Sequence, residues 1–348
     1  MIHWLKFVFA LIRVFLPEWL VRMLYLRRLP QVSGRQIDPK AQAVGDLVAL
    51  ARQAAGEQSV AESRKQLEKF VTLFDGLRPK RVTIRDFTLP GAEGDRAARL
   101  YLPSGCTEAA GPALLYLHGG GWIQGSIGSH DALCGKLAEQ AGMRVISYDY
   151  RLAPEHPFPA APNDVMAAYL GLREQAAGLG IDADRLAIGG DSAGANLSAS
   201  VLHSLAASGG PMPAVQLLIY PGVDARLCSV SMQELSQSPL LPLERIRWYL
   251  DLYLPEGQDR EAPEVSPLFS DRLTGQPQAL ILTAGQDPLW DDGQAYAASL
   301  QEAGVLVDLM AYPGQVHGFL NLTRVIPQGE DAVAGVALWL KARLSDPG

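Results

Sequence analysis

The pentapeptide Gly190-Asp191-Ser192-Ala193-Gly194 carries the strongest chemical signal in the chain. It follows the apolar run Leu186-Ala187-Ile188 and precedes a small-residue helical pattern over residues 195–207. A strand that turns into a helix through G-x-S-x-G holds its serine on a strained turn with Oγ exposed. The flanking glycines keep Cβ atoms out of the crowded backbone. A hydroxyl is a poor nucleophile until a base takes its proton, so Ser192 requires a histidine. Of the six histidines, His3 falls in an amino-terminal helical segment, His156 in a proline-rich loop and His203 in the helix after Ser192. His317 follows a β-like run and opens the loop His317-Gly318-Phe319, which makes it the best-placed base. A carboxylate must then hold the imidazole in the productive tautomer. Asp287 lies in a turn directly after the strand-like Leu280-Ile281-Leu282-Thr283 and suits that role. Asp291 and Asp292 are nearby alternatives, expected to cap the helix that begins there.

Acyl transfer also needs donors for a developing oxyanion. His118-Gly119-Gly120-Gly121-Trp122 follows a strand-like run at 113–117. Consecutive glycines leave backbone N–H groups unencumbered, and losing one such donor costs about 3–4 kcal/mol of transition-state stabilisation. Gly119, Gly120 and Gly121, with the N–H of Ala193, are therefore the candidate oxyanion hole. A glycine run can also be a flexible loop or a phosphate cradle, but neither G-x-G-x-x-G nor GK[ST] occurs. His118 is expected to orient the loop. The chemistry is formation and hydrolysis of an acyl-enzyme on a small-molecule ester, with no organic cofactor and no metal implied.

These residues must be positioned by a scaffold whose period can be read. Helical spacing covers 41–54 and 60–74, the latter with Ser59 as N-cap and Glu62 at the capping-box position. A hairpin around Pro90-Gly91 follows, and then strands alternate with helices to the end of the chain. Continuous apolar strands in such alternation mean a mostly parallel sheet covered on both faces, an α/β fold. The pattern breaks between 224 and 265, where a Ser/Pro-rich stretch leads to an apolar helix. With residues 36–77, this insertion is expected to form a helical cap on a catalytic domain of 78–223 and 266–348.

With 348 residues, 48% hydrophobic and 19% charged, the chain can bury a sizeable core, and its net charge of −7 argues against a nucleic-acid partner. Three widely spaced cysteines suggest neither a disulfide framework nor a metal site and fit a reducing compartment, so a cytoplasmic location is expected. The first 35 residues differ from the rest. In residues 1–29, 21 are apolar, and five basic residues face a single Glu18, leaving 25 basic and 36 acidic residues, a net of −11, in the remainder. The segment is too short and too charged to span a bilayer. Two readings stand: a helical pair packed on the protein or on a second subunit, or an amphipathic anchor lying in a membrane interface. Peripheral membrane contact or homo-oligomerisation through residues 1–30 is thus an expectation.

The motifs together resemble the hormone-sensitive-lipase-type bacterial carboxylesterases of the α/β-hydrolase fold, in the GDSAG branch. The matching pieces are His118-Gly119-Gly120-Gly121-Trp122, Tyr150-Arg151-Leu152-Ala153-Pro154-Glu155, the Ser192 pentapeptide, Ser266-Pro267-Leu268, Asp287-Pro288-Leu289 and His317-Gly318-Phe319, in the family's order. The order Ser192, Asp287, His317 is that of the fold. The resemblance implies Ser192 as nucleophile, Asp287 as acid and His317 as base, with Gly120, Gly121 and Ala193 as oxyanion donors and Gly119 shaping the loop. It implies that Glu155 and Asp164 brace the site, as do His118 and Asp191. Ala195 departs from the family's usual glycine, and residues 1–35 have no counterpart in a typical member. Short- to medium-chain esters are the expected substrates. A lipase, a deacetylase or an amidase of the same fold remains open, as does a ligand-binding member lacking activity or a membrane-tethered interaction protein.

Overall fold

The computed structural model describes residues 2–25, 28–55, 59–106 and 109–345; parts of the regions read above, among them Met1, Leu26 and Arg27, lie outside the described residues. Four helices come first: α1 (Ile2–Phe15), α2 (Glu18–Tyr25), α3 (Pro39–Ala55) and α4 (Val60–Phe74). A two-stranded ribbon, β1 (Gln31–Val32) with β2 (Arg35–Gln36), separates the two pairs. The capping box at the start of α4 forms as expected, with the Ser59 hydroxyl and the Glu62 carboxylate each taking the other's backbone N–H.

β3 (Val82–Gly91) and β4 (Gly94–Pro103) then make the hairpin. Alternation follows through β5 (Gly111–Leu117), α5 (Asp131–Ala141), β6 (Arg144–Tyr148), α6 (Ala160–Gln175), β7 (Ile181–Asp191), α7 (Ala193–Ser208) and β8 (Val215–Ile219). The inserted helices α8 (Val230–Glu234) and α9 (Leu243–Tyr253) come next. The chain then resumes with β9 (Gln278–Ala284), α10 (Trp290–Glu302), β10 (Val307–Tyr312) and α11 (Pro327–Leu344). Strand β7 begins five residues earlier than the apolar run that announced it, because residues 182–185 are not buried and only its second half, from Leu186 on, is continuously so. Helix α6 starts at Ala160 with Pro162 inside its first turn, a position where the missing N–H costs nothing.

Eight strands form one sheet in the order β10-β9-β8-β7-β5-β6-β4-β3. Pairing is parallel from β10 to β6 and antiparallel at the β4 and β3 edge. Period-two alternation divides each central strand between two cores. Leu114 and Tyr116 of β5 join one apolar cluster, with α5 and α11, while Ala113, Leu115 and Leu117 join another, with α6 and α7. Both faces are therefore dry. The polar groups needed for chemistry can emerge only where parallel strands end, at the carboxyl edge of the sheet.

Candidate active site

Three parallel strands deliver three side chains to that edge. Ser192 follows β7 at φ 55° and ψ −117°, a strained conformation that costs about 1–3 kcal/mol in a non-glycine residue. A Cβ on either Gly190 or Gly194 would run into the Leu117 carbonyl of β5, so no larger residue fits beside this turn. Ser192 Oγ lies 2.9 Å from His317 Nε2, in the loop after β10. His317 Nδ1 lies 2.6 Å from Asp287 Oδ2, in the turn after β9. The other Asp287 oxygen accepts the Leu289 N–H at 3.0 Å, which fixes the carboxylate's direction. The two loops are stitched together, since Gln286 donates its N–H to the Gln315 carbonyl at 2.8 Å. Oγ can thus pass its proton to Nε2 while the buried Asp287 holds Nδ1–H.

The glycine loop leaves β5 with positive φ at Gly120 (126°) and Gly121 (62°). Among the described residues, the N–H groups of Gly120, Gly121 and Ala193 meet no protein acceptor. Ala193 opens α7, so its N–H is one of the orphan donors of a helix start. Gly119 is different. It was counted with the oxyanion hole on sequence, but its N–H donates to Asp191 Oδ1 at 3.0 Å, and a Cβ there would strike the same carboxylate. Gly119 shapes the loop and gives no donor to a substrate. His118 orients the loop as expected, with Nδ1 at 2.9 Å from the Gly119 carbonyl and its ring stacked on Tyr150 at 4.4 Å. Tyr150 in turn donates to the His118 carbonyl at 2.7 Å.

Asp191 anchors this arrangement through a partner that sequence reasoning passed over. Its carboxylate accepts from Tyr116 Oη at 2.8 Å and stands 3.1 Å from His130 Nε2. His130 Nδ1 faces Ser129 Oγ at 2.9 Å, and that hydroxyl already gives its proton to the Ser126 carbonyl. Nε2 also lies 3.2 Å from Asn321 Nδ2 and 3.4 Å from the Gly119 nitrogen, so Asp191 is the one charged partner that nitrogen has among the described residues. Burial pushes His130 down, yet the Asp191 charge outweighs it and the pKa is raised above 6.5. Burial likewise pushes Asp191 up, but His130 and then Tyr116 hold it below the usual carboxylate range.

The sign of the pH effect follows. A raised histidine contributes stability that is complete below its unfolded value of about 6.5 and lost as pH rises through the folded value. The depressed Asp191 contributes above about 3.8, and that share is lost as pH falls through its folded value. We expect the thermal midpoint to decline above pH 6.5. His130→Gln, which keeps a donor toward Asp191, should flatten that limb. An unchanged slope in the variant, read by thermal unfolding against pH, would refute a stabilising charge interaction between His130 and Asp191.

The other expected braces act at one remove. Asp164 is fully buried and clamps Arg151 with two bonds of 2.8 Å while accepting the Ala92 N–H at 2.9 Å, fixing the segment that carries Tyr150. Glu155 is exposed and pairs with Arg64 of α4 at 2.7 Å, which lowers its pKa to about 2. Arg64 also donates to the Ile123 and Ala153 carbonyls, so this pair ties α4 to the chain beyond the glycine loop and does not touch Ser192. Asp291 and Asp292 do not cap α10, whose N-cap position has no side-chain bond. Asp291 instead accepts the Ser231 N–H at 2.7 Å and secures α8. Asp292 is buried, and burial first, then the nearby Asp224 charge, push its pKa well up. His203 sits against Ser270 at 2.7 Å, far from the chemistry.

A cavity of about 660 Å³ opens on Ser192, His317 and the glycine loop. Its walls come from α3 and α4 on one side and α9 on the other, with Phe70, Ile246 and Tyr249 among them. These helices are bonded to the oxyanion loop. Ser63 of α4 donates to Gln124 Oε1 at 2.6 Å, and Gln124 donates to Tyr249 Oη at 2.9 Å. The Tyr249 ring occupies the space that a Cβ on Gly121 would need. The signal that could have found Gln124 and Tyr249 is position: Gln124 lies three residues beyond the glycine run, and Tyr249 lies within the expected cap helix.

Comparison with known proteins agrees with this geometry. Residues 114–321 match a family profile described as alpha/beta hydrolase fold. An ethyl acetate hydrolase of Pseudomonas putida is 40% identical over 286 residues, covering 81% of this chain and 90% of the relative. The carboxylesterase NlhH of Mycobacterium tuberculosis is 37% identical over 322 residues, 90% of this chain and 98% of the relative. A solved α/β-hydrolase enzyme from the metagenome of Lake Arreo superposes with a TM-score of 0.84 at 37% identity, covering 88% of this chain and 98% of that one. The chain belongs to the hormone-sensitive-lipase-type family of the α/β-hydrolase fold and is a carboxylic ester hydrolase.

Proposed function

We propose that the protein hydrolyses esters of short- to medium-chain acids through an acyl-enzyme on Ser192. His317 takes the Ser192 proton as Oγ attacks the ester carbonyl, and Gly120, Gly121 and Ala193 donate to the oxyanion. The tetrahedral intermediate collapses, the C–O bond to the alcohol breaks, and His317 returns the proton to the departing alkoxide. Water then attacks the acyl carbonyl with the same base, releasing the acid and restoring Oγ–H. Asp287 keeps Nδ1 protonated throughout and supports the imidazolium of each transition state.

The observation that carries the reading is the cavity. Its largely apolar walls begin at the nucleophile and give an acyl chain of several carbons a dry place to lie. Relatives named for hydrolysing ethyl acetate and acetyl groups support the short end of the range. The test is a series of p-nitrophenyl esters from acetate to palmitate, read as kcat/KM on purified enzyme. A maximum among short and medium chains is expected. A steady rise into the longest chains would overturn the chain-length assignment, and no turnover with any ester would overturn the whole.

A further inference from the structure

We propose that the outward face of α1 and α2 is a docking surface for an anionic lipid bilayer, placed so that membrane-dissolved esters enter the cavity above Ser192. The choice of ester rests on the hydrolase reading; the docking does not. Of sixteen exposed large apolar side chains among the described residues, eight lie within residues 4–24, so the patch is concentrated and not scattered. Trp4 is 66% exposed, Phe9 70% and Trp19 65%. The opposite side of the same helices is firmly held. Ala10, Val14 and Val21 are buried in the core, Arg13 pairs with Asp46 of α3 at 2.6 Å, and the Lys40 ammonium donates to the Leu16 carbonyl at 2.8 Å. The outer face is therefore presented rigidly.

Two further observations select the occupant. The patch is continuous with the site, since Phe7 and Leu11 of α1 line the cavity that contains Ser192. Leu73 lines it too and is 44% exposed, which brings that wall to the surface beside α1. The charge is also segregated. Residues 1–29 carry five basic side chains against Glu18, while the remainder has a net charge of −11. Lys6, Arg22 and Arg28 are exposed. Such a face is attracted to anionic headgroups, whereas a second copy would bring like charges together over the same aromatics. Helix α1 has 14 residues, and no helix among the described residues is long and apolar enough to cross a membrane. The pair would lie in the interface, aromatic side chains down and the acidic body turned to water.

The test uses the full chain with vesicles of phosphatidylcholine, with and without phosphatidylglycerol. Wild type and Ser192→Ala should co-sediment with the anionic vesicles alike, and added salt should weaken the association. Combined Trp4→Ser, Phe9→Ser and Trp19→Ser should reduce partitioning by about a thousandfold or more, as expected for three large apolar groups kept in water. Turnover of water-soluble p-nitrophenyl acetate should be unchanged, and turnover of an ester held in the vesicles should fall with binding. Lys6→Glu with Arg22→Glu, which leaves the aromatics in place, should abolish the preference for anionic vesicles. Wild-type protein that stays in the supernatant overturns the proposal. So does a dimer in solution that the aromatic variant converts to monomer, because a second copy would then own the face.

Discussion

Ser192→Ala is expected to lower kcat for p-nitrophenyl butyrate by about 10⁶-fold, leaving only the residual catalysis of binding and oxyanion donors. Oγ makes one side-chain contact, to His317, so its removal leaves no buried polar group without a partner except an imidazole nitrogen open to the cavity. Alanine tolerates the φ of 55° no worse than serine does, and the Ser192 N–H still donates to the Ile219 carbonyl at 2.8 Å. The fold should therefore survive, with a thermal midpoint near that of the wild type. His317→Ala should cost a similar factor, and the double variant should be hardly worse than either single one, because nucleophile and base act as a unit. Turnover retained in Ser192→Ala would remove the assignment. Losses that multiply in the double variant would mean the two residues act separately.

The contrast between what sequence discloses and what it hides is physical. Ser192 and Asp287 each follow an apolar run that must be a buried strand, His317 follows the edge strand β10, and the strained G-x-S-x-G turn has few other uses. Local chemistry and strand order were enough to gather them. The His130–Asp191 pair was illegible for the opposite reason. Nothing near His130 in the chain distinguishes it from a residue opening a helix; its meaning comes from β5, whose Tyr116 meets the same carboxylate. The demotion of Gly119 has the same origin, since which way one N–H points depends on where Asp191 ends up. Asp291 and Asp292 misled because acidic residues at a helix start usually serve that helix, whereas here Asp291 answers to α8 and Asp292 to the core. At the amino terminus the amphipathic pattern was plain, but Arg13, one of the five basic residues there, turns to Asp46 and leaves the outer face with less charge than a count of the sequence suggests.

Asp287→Asn tests the assignment of the acid, with an expected loss of about 10⁴-fold in kcat. The amide is nearly isosteric, and its oxygen can still accept the Leu289 N–H, so the turn after β9 should hold. What changes is the group facing His317. An NH₂ at that position cannot accept the Nδ1 proton and favours the tautomer protonated at Nε2, which then has no lone pair for the Ser192 hydroxyl. The imidazolium of the transition state also loses its counter-charge in a site with almost no water around the carboxylate. Asp291→Asn should stay within about tenfold of wild type, because that side chain serves the Ser231 N–H and not the base. Asp292 cannot replace Asp287, since His317 Nδ1 is bonded to Asp287 and, among the described residues, no bond joins it to Asp292, whose pKa burial and the neighbouring Asp224 push well up. The deciding measurement is kcat at neutral pH for both variants beside their thermal midpoints. Equal losses at 287 and 291 would mean the wrong carboxylate was chosen, whereas a large loss at 287 with an unmoved midpoint isolates the electrostatic role from the structural one.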